Sequence, residues 1–138
     1  MAPKGAQYRM TVHLDTSFLI RALSHGTAED AALRVWLRGR VAVDISAVAW
    51  TEFLCGPVEE QHLQLAPRIV GKRVGFSSED APLAAELYDS GGRRRGSLAD
   101  CMIAATAIRC GAHLATSNPA DFRRYLASGL ALAPTLFS

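Results

Sequence analysis

Met10-Thr11-Val12-His13-Leu14-Asp15-Thr16-Ser17-Phe18-Leu19-Ile20-Arg21-Ala22-Leu23 is the stretch on which the fold turns. Met10–Leu14 alternates as a half-buried strand does, Asp15 stops it, and Thr16–Leu23 resumes with apolar residues at helical spacing, with Thr16 or Ser17 placed to cap the new helix. A strand that runs through one acidic residue directly into a helix is half of a β-α-β unit. The same order returns further on. Val41–Ile45 is a short β-branched run, and Ser46 then caps a helix carrying Val48, Trp50, Glu52, Phe53 and Leu54 until Gly56-Pro57 ends it. Ala112–Thr116 is another strand, and Asn118-Pro119 offers a cap and a first-turn proline for a last helix.

The segments between these units read as helices. Thr27 caps one that runs to about Arg38 and closes at Gly39; another spans roughly Glu59–Ile69, with Val70–Phe76 a weak strand or loop. Ser78 caps Glu79–Asp89, which stops at Gly91-Gly92, and a helix around Asp100 runs to Cys110 with Gly111 in the left-handed position. Leu130–Phe137 adds an edge strand or simply packs, and Met1–Gln7 reads as disordered. Strands alternating with helices predict a mainly parallel sheet covered on both faces, with right-handed crossovers. With 138 residues, 49% of them hydrophobic, the chain suits one domain over 1–138.

Composition removes several function classes. The apolar run around Leu14 is broken by Asp15 and the run Cys101–Ile108 is too short to span a bilayer, so neither a signal peptide nor a membrane helix is expected. Cys55, Cys101 and Cys110 are odd in number and form no Cys-x-x-Cys, which suits a reducing, cytosolic compartment and a core-filling role. His13, His25, His62 and His113 contain no i,i+4 pair of the kind zinc sites use.

Four acids stand out against apolar surroundings. Asp15 ends a strand, Glu52 lies in the second turn after another, Asp100 stands near the start of the almost wholly apolar helical segment Ser97–Ile108, and Asp121 comes five residues after Thr116. In a parallel sheet the ligand crevice lies beyond the carboxyl ends of the strands, so topology alone gathers all four at one edge. Converging carboxylates repel unless a cation lies between them, and hard oxygen donors select Mg²⁺ or Mn²⁺ over zinc. Each acid also has a structural reading. Ser97 with Asp100, and Asn118 with Asp121, have capping-box spacing, and Asp15 could cap the helix that follows it. Glu52 is too deep in its helix for that.

Net charge is only +2, yet thirteen of the fifteen basic residues are arginine, three of them the contiguous Arg93-Arg94-Arg95. Arginine forks match phosphate oxygens, which would make this loop a nucleic-acid contact; the base composition of the gene would produce the same bias. A haloacid-dehalogenase-type site wants a second aspartate two residues after the first, where Ser17 stands. A phosphoreceiver wants an acidic pair where the chain has His13-Leu14.

Taken together, Asp15–Ile20, Ser46–Gly56, Gly96–Ala107 and Leu114–Phe122 resemble the PIN-domain ribonucleases, and within them the toxins of VapBC toxin–antitoxin modules. The resemblance implies a three-layer α/β/α sandwich, Mg²⁺ or Mn²⁺ held by Asp15, Glu52 and Asp100, and endonucleolytic cleavage of RNA. It further implies a homodimer and inhibition by a VapB-type antitoxin. Asp121 matches the aspartate–phenylalanine pair of many members, while Asn118 stands at the first polar position after the last strand and could hold a water or cap the helix. Thr16, Ser17, Ser97 and Thr116 are placed either to support the acids or to cap. Arg93, Arg94 and Arg95 would grip the RNA backbone beside the cleft, and exposed apolar residues such as Trp36, Phe53 and Leu54 would supply the interface. A non-catalytic RNA- or partner-binding module of the same fold is the alternative, expected if Asp121 faces away from the cleft and metal binds weakly.

Overall fold

The structure, a computed structural model, describes residues 10–134. The expectation of disorder over Met1–Gln7 and that for the end of the tail lie outside those residues. Five strands form one parallel sheet: β1 (Thr11–Leu14), β2 (Ala42–Ser46), β3 (Arg73–Val74), β4 (His113–Ala115) and β5 (Ala131–Leu132), in the order β3-β2-β1-β4-β5. Along β1, Val12 pairs with Val43 and His113, and Leu14 with Ile45 and Ala115. Val12, His13 and Leu14 are successive and all buried. Side chains of a strand alternate between faces, so burial of three in a row means that both faces of the sheet are covered.

Six helices provide that cover: α1 (Thr16–Ala22), α2 (Ala28–Arg38), α3 (Ala47–Cys55), α4 (Glu60–Ile69), α5 (Asp80–Ser90) and α6 (Leu98–Arg109). The result is the three-layer α/β/α sandwich with a parallel sheet. Helix α1 packs on α2 and α3, α3 on α6, and α5 on α6. Thr27 and Ser46 cap α2 and α3 through their side chains, and Gly111, at φ 63°, follows the end of α6, where a side chain would be strained. Among the described residues no helix is long and apolar enough to cross a membrane.

Several local expectations are corrected. Asp15, rather than Thr16 or Ser17, caps α1, accepting from the Phe18 N–H. Ser78 does not cap α5; instead the Asp80 carboxylate reaches back to the Ser77 N–H. The last helix is a pair of 3-10 turns, Pro119–Asp121 and Arg123–Ser128, and the Asn118 side chain makes no cap. Trp36 and Phe53 belong to the core, Trp36 stacked on Phe18 with ring centroids 5.5 Å apart, which leaves Leu54 as the exposed one of the three. Fully burying a side chain such as Phe53 is worth about 2–3 kcal/mol, which outweighs any gain from leaving it on a surface. Cys101 fills the core as expected, but Cys55 and Cys110 are exposed.

Chain order along the sheet reverses at β1. The first three strands run outward on one side of it, and the chain then returns to its other side for β4 and β5. Such a reversal opens a crevice at the carboxyl ends of the two strands it separates. The residues that end β1 and follow β4 are Asp15 and Thr116–Asn118.

Candidate metal centre

Asp15 leaves β1 with its N–H still bonded to Ala115 O at 2.9 Å, so the sheet itself fixes its backbone. Its Oδ1 accepts from the Phe18 N–H and the Ser17 hydroxyl, each at 2.8 Å. The residue is 5% exposed. Burial pushes its carboxyl above the ordinary range, the hydrogen bonds from Thr116, Phe18 and Ser17 pull it back in part, and the charge of Glu52 raises it again. Asp15 therefore both caps a helix and lines a cavity; the two readings of this residue do not exclude each other.

Glu52 points outward from α3 and accepts from the Thr16 hydroxyl at 2.9 Å. Asp100 sits in the first turn of α6. Ser97 does not form the capping box that its spacing allows, because its hydroxyl donates to Arg94 O at 2.7 Å and leaves the helix without a side-chain cap. Asn118 and Asp121 likewise meet through backbone only, Asp121 N to Asn118 O at 3.0 Å.

Asp15, Glu52, Asp100, Asn118 and Asp121 line one cavity of about 270 Å³, with Thr16, Ser17, Ile20, Ile103 and Phe122 as the rest of its wall. Residues from four separate parts of the chain thus meet at the predicted edge. Burial, followed by repulsion from Glu52, Asp15 and Asp121, pushes the Asp100 carboxyl up to about 6, against a small opposing effect of Arg94. A carboxylate that three neighbours oppose is a group whose charge is unsatisfied within the protein. An all-oxygen donor set with surplus negative charge fits a hard divalent cation. Among the described residues, however, no three His, Cys, Asp or Glu side chains are drawn together tightly enough to make a closed metal site. The acids ring the cavity rather than meeting at one point.

The arginine loop Arg93–Arg95 is expected beside the cleft rather than in its wall. None of Arg93, Arg94 and Arg95 is part of the cavity wall. Arg93 adopts φ 53°, lies 5.1 Å over the Tyr88 ring and pairs with Asp89, so its side chain is engaged beside the helix it follows. Arg94 is the member whose charge reaches Asp100, and both Arg94 and Arg95 are exposed.

Three residues that sequence reading passed over join the site. Glu29, at 4% exposure, accepts from Arg21 Nε at 2.8 Å and from the Ser117 hydroxyl at 2.6 Å, and the Ser117 N–H donates to Ser17 Oγ at 3.2 Å. Ser17 in turn donates to Asp15. Burial alone would raise the Glu29 carboxyl, but the Ser117, backbone and Arg21 hydrogen bonds hold it below the usual range. The only sequence signal was an acid in the first turn of a helix, which ordinarily reads as a dipole effect.

A family model described as PIN domain matches residues 12–126. No curated protein sequence matches the chain. Among solved structures, a chain of VapBC2 from Rickettsia felis, bound to a DNA fragment from its promoter, is 21% identical over 90% of this chain and 98% of that one, with a TM-score of 0.70. A chain of a toxin–antitoxin complex from Klebsiella pneumoniae is 26% identical over 83% of this chain and 90% of that one, TM-score 0.64. FitAcB from Neisseria gonorrhoeae contains a chain 21% identical over 91% and 97%, TM-score 0.63.

Proposed function

The chain belongs to the PIN domain family, a family of nucleases, and from that premise we propose that it is a Mg²⁺- or Mn²⁺-dependent endoribonuclease, the toxin of a type II toxin–antitoxin pair. The observation that carries this reading is the single cavity lined by Asp15, Glu52, Asp100 and Asp121. Asp15, Glu52 and Asp100 would hold the cation, with Asp121 completing the set and Asn118 beside it. When bound, the cation supplies the Lewis acidity and the acidified water that phosphodiester hydrolysis needs.

The protein's own part is positioning. Ser17 and the Phe18 N–H fix the Asp15 carboxylate, and Thr16 aims Glu52, so two of the four acids are oriented before any substrate arrives. The hydroxyls in the cavity wall, Thr16 and Ser17, donate to Glu52 and Asp15 and so serve as orienting groups, which accords with direct attack by water. The acids repel phosphate by themselves, so substrate affinity must come from cations around the rim, with Arg94 and Arg95 as exposed candidates. The alternative, a non-catalytic module, expects Asp121 outside the cleft and weak metal binding; Asp121 lines the cavity, and a magnesium titration of the purified protein tests the second condition.

The likeness to chains of VapBC2 and of the Klebsiella pneumoniae toxin–antitoxin complex supports a VapB-type antitoxin as partner, and a cytoplasmic place of work is part of the same proposal. One domain spanning the chain and a homodimer complete the proposal. The test is cleavage of single-stranded RNA by purified protein in magnesium, with and without chelator, alongside Asp15→Asn. Full cleavage by Asp15→Asn, or by wild type in excess chelator, rejects the metal mechanism.

A further inference from the structure

Beside the acidic cavity lies a second one of about 570 Å³, lined by Arg21, Glu29 and Ser117 and sharing Ser17, Ile20 and Asn118 with the first. Its back wall is charge-balanced. The buried Glu29 carboxylate is paired with Arg21 and hydrogen-bonded by Ser117, so it presents no net repulsion to an anion. Arg21 spends only Nε on this pair. Among the described residues its two terminal amino groups have no hydrogen-bond partner, and the side chain is 59% exposed. Ile20, 47% exposed, gives the passage between the two cavities an apolar surface.

A polynucleotide with its scissile phosphate among four carboxylates must run out of that cavity, and its affinity must be supplied where cations face it. The second cavity meets both needs. An arginine fork held in place by a buried carboxylate is pre-organised for a phosphate, because little side-chain entropy remains to be lost. Resting on the ribonuclease reading above, we infer that this second cavity is a subsite for the nucleotide adjoining the scissile phosphate: Arg21 grips its phosphate, Ile20 lies against its base, and Glu29 is the positioning residue that holds Arg21 and Ser117.

The experiment compares wild type with Arg21→Ala, Arg21→Lys, Glu29→Gln and Arg38→Ala, the last removing an exposed arginine at the far end of α2. Steady-state cleavage of a labelled single-stranded RNA oligomer is followed in magnesium. Arg21→Ala is expected to raise KM by about tenfold, with kcat and the magnesium midpoint unchanged. Arg21→Lys recovers part of the loss, since it keeps charge but not the fork, and Glu29→Gln falls between wild type and Arg21→Ala. A wild-type KM for Arg21→Ala, an equal rise in Arg38→Ala, or a displaced magnesium midpoint in Arg21→Ala overturns the subsite. If wild type cleaves no RNA, the ribonuclease reading has failed on its own. Fluorescence anisotropy of the same oligomer in calcium then decides the subsite: weaker binding by Arg21→Ala than by Arg38→Ala supports it, and equal binding overturns it.

Discussion

The Thr16 hydroxyl donates to Glu52 Oε1 at 2.9 Å and lies 3.2 Å from Ala49 O, so one side chain ties α1 to α3 and aims an otherwise exposed carboxylate. Thr16 immediately follows Asp15, and the contact therefore couples the acid that ends β1 to the acid on α3. Partners of this kind set the orientation of metal ligands and typically cost tenfold or more when removed. Thr16→Val keeps the shape and loses the hydrogen bond. It is expected to weaken magnesium dependence of cleavage by about tenfold while leaving the metal-free melting temperature nearly unchanged. An unchanged magnesium titration would show that Glu52 is positioned by something else.

Asp100→Asn separates a helix-end role from a ligand role. Asparagine keeps the size and most hydrogen-bonding capacity of aspartate but removes a charge that Glu52, Asp15 and Asp121 oppose. The metal-free variant should melt no lower than wild type. Stabilisation by magnesium and RNA cleavage should both be lost. A variant that melts slightly lower yet cleaves normally would assign Asp100 to its helix alone.

Acid should affect the two proteins differently. Asp100 is pushed up to about 6 from an ordinary value of 3.8. Its ionisation therefore costs folding free energy, a cost absent below the unfolded value, growing between 3.8 and about 6, and complete above. His13 works the other way. Burial lowers its pKa from 6.5, partly offset by Asp44, so stability is lost as pH falls through the unfolded value and the unfolded chain takes up the proton. The windows overlap, and only a difference isolates Asp100. In metal-free buffer the melting temperature of wild type minus that of Asp100→Asn should rise as pH is lowered from about 7.5 to about 5.5. A flat difference would mean that the Asp100 charge is not strained.

The parts of this site that sequence exposed were those whose cause is local. Asp15 and the strand before it, the Thr27 and Ser46 caps and the stop at Gly111 all depend on neighbours within a few positions. Topology then brings Asp15, Glu52, Asp100 and Asp121 together without any knowledge of side-chain contacts. What sequence did not expose depends on distant partners. Glu29 finds Ser117, 88 positions away, and Trp36 is drawn into the core by Phe18. Asn118-Pro119 carries the signals of a full helix start, yet the following residues wind as 3-10 turns that bury Phe122 and Tyr125 against the core. Tertiary burial overrides the local signal there.

Assembly is open to a direct measurement. With Trp36 and Phe53 inside, the large exposed apolar residues among the described residues are Leu54, as expected, and Ile20, Val35, Leu37, Leu65, Leu98 and Leu126. A homodimer would cover some of these, since a twofold contact uses the same patch on both copies. Light scattering at micromolar concentration should give twice the 14.8 kDa chain mass. A monomeric mass removes the dimer and leaves the catalytic proposal standing.

The Asp80–Arg109 pair predicts where stability and activity part company. Asp80 is fully buried and accepts from Arg109 Nε at 2.5 Å, the Ser77 N–H at 3.0 Å and the Thr106 hydroxyl at 3.1 Å, joining the start of α5 to the far end of α6. Burial alone would raise its carboxyl, but these donors hold it below the usual range. The depressed pKa makes the ionised form stabilising above the unfolded value, and that contribution is lost as pH falls from the unfolded value of 3.8 toward the lower folded one, below the window in which Asp100 titrates. Arg109→Ala strands the Asp80 charge in the interior and should lower the urea midpoint of unfolding. Asp80→Asn removes the charge itself and should cost less. Nine positions of α6, about 13 Å of rise, separate Arg109 from Asp100, so the folded fraction of Arg109→Ala should keep the wild-type magnesium midpoint. A displaced midpoint would mean that the pair sets the position of α6 at the acidic cavity as well as its stability.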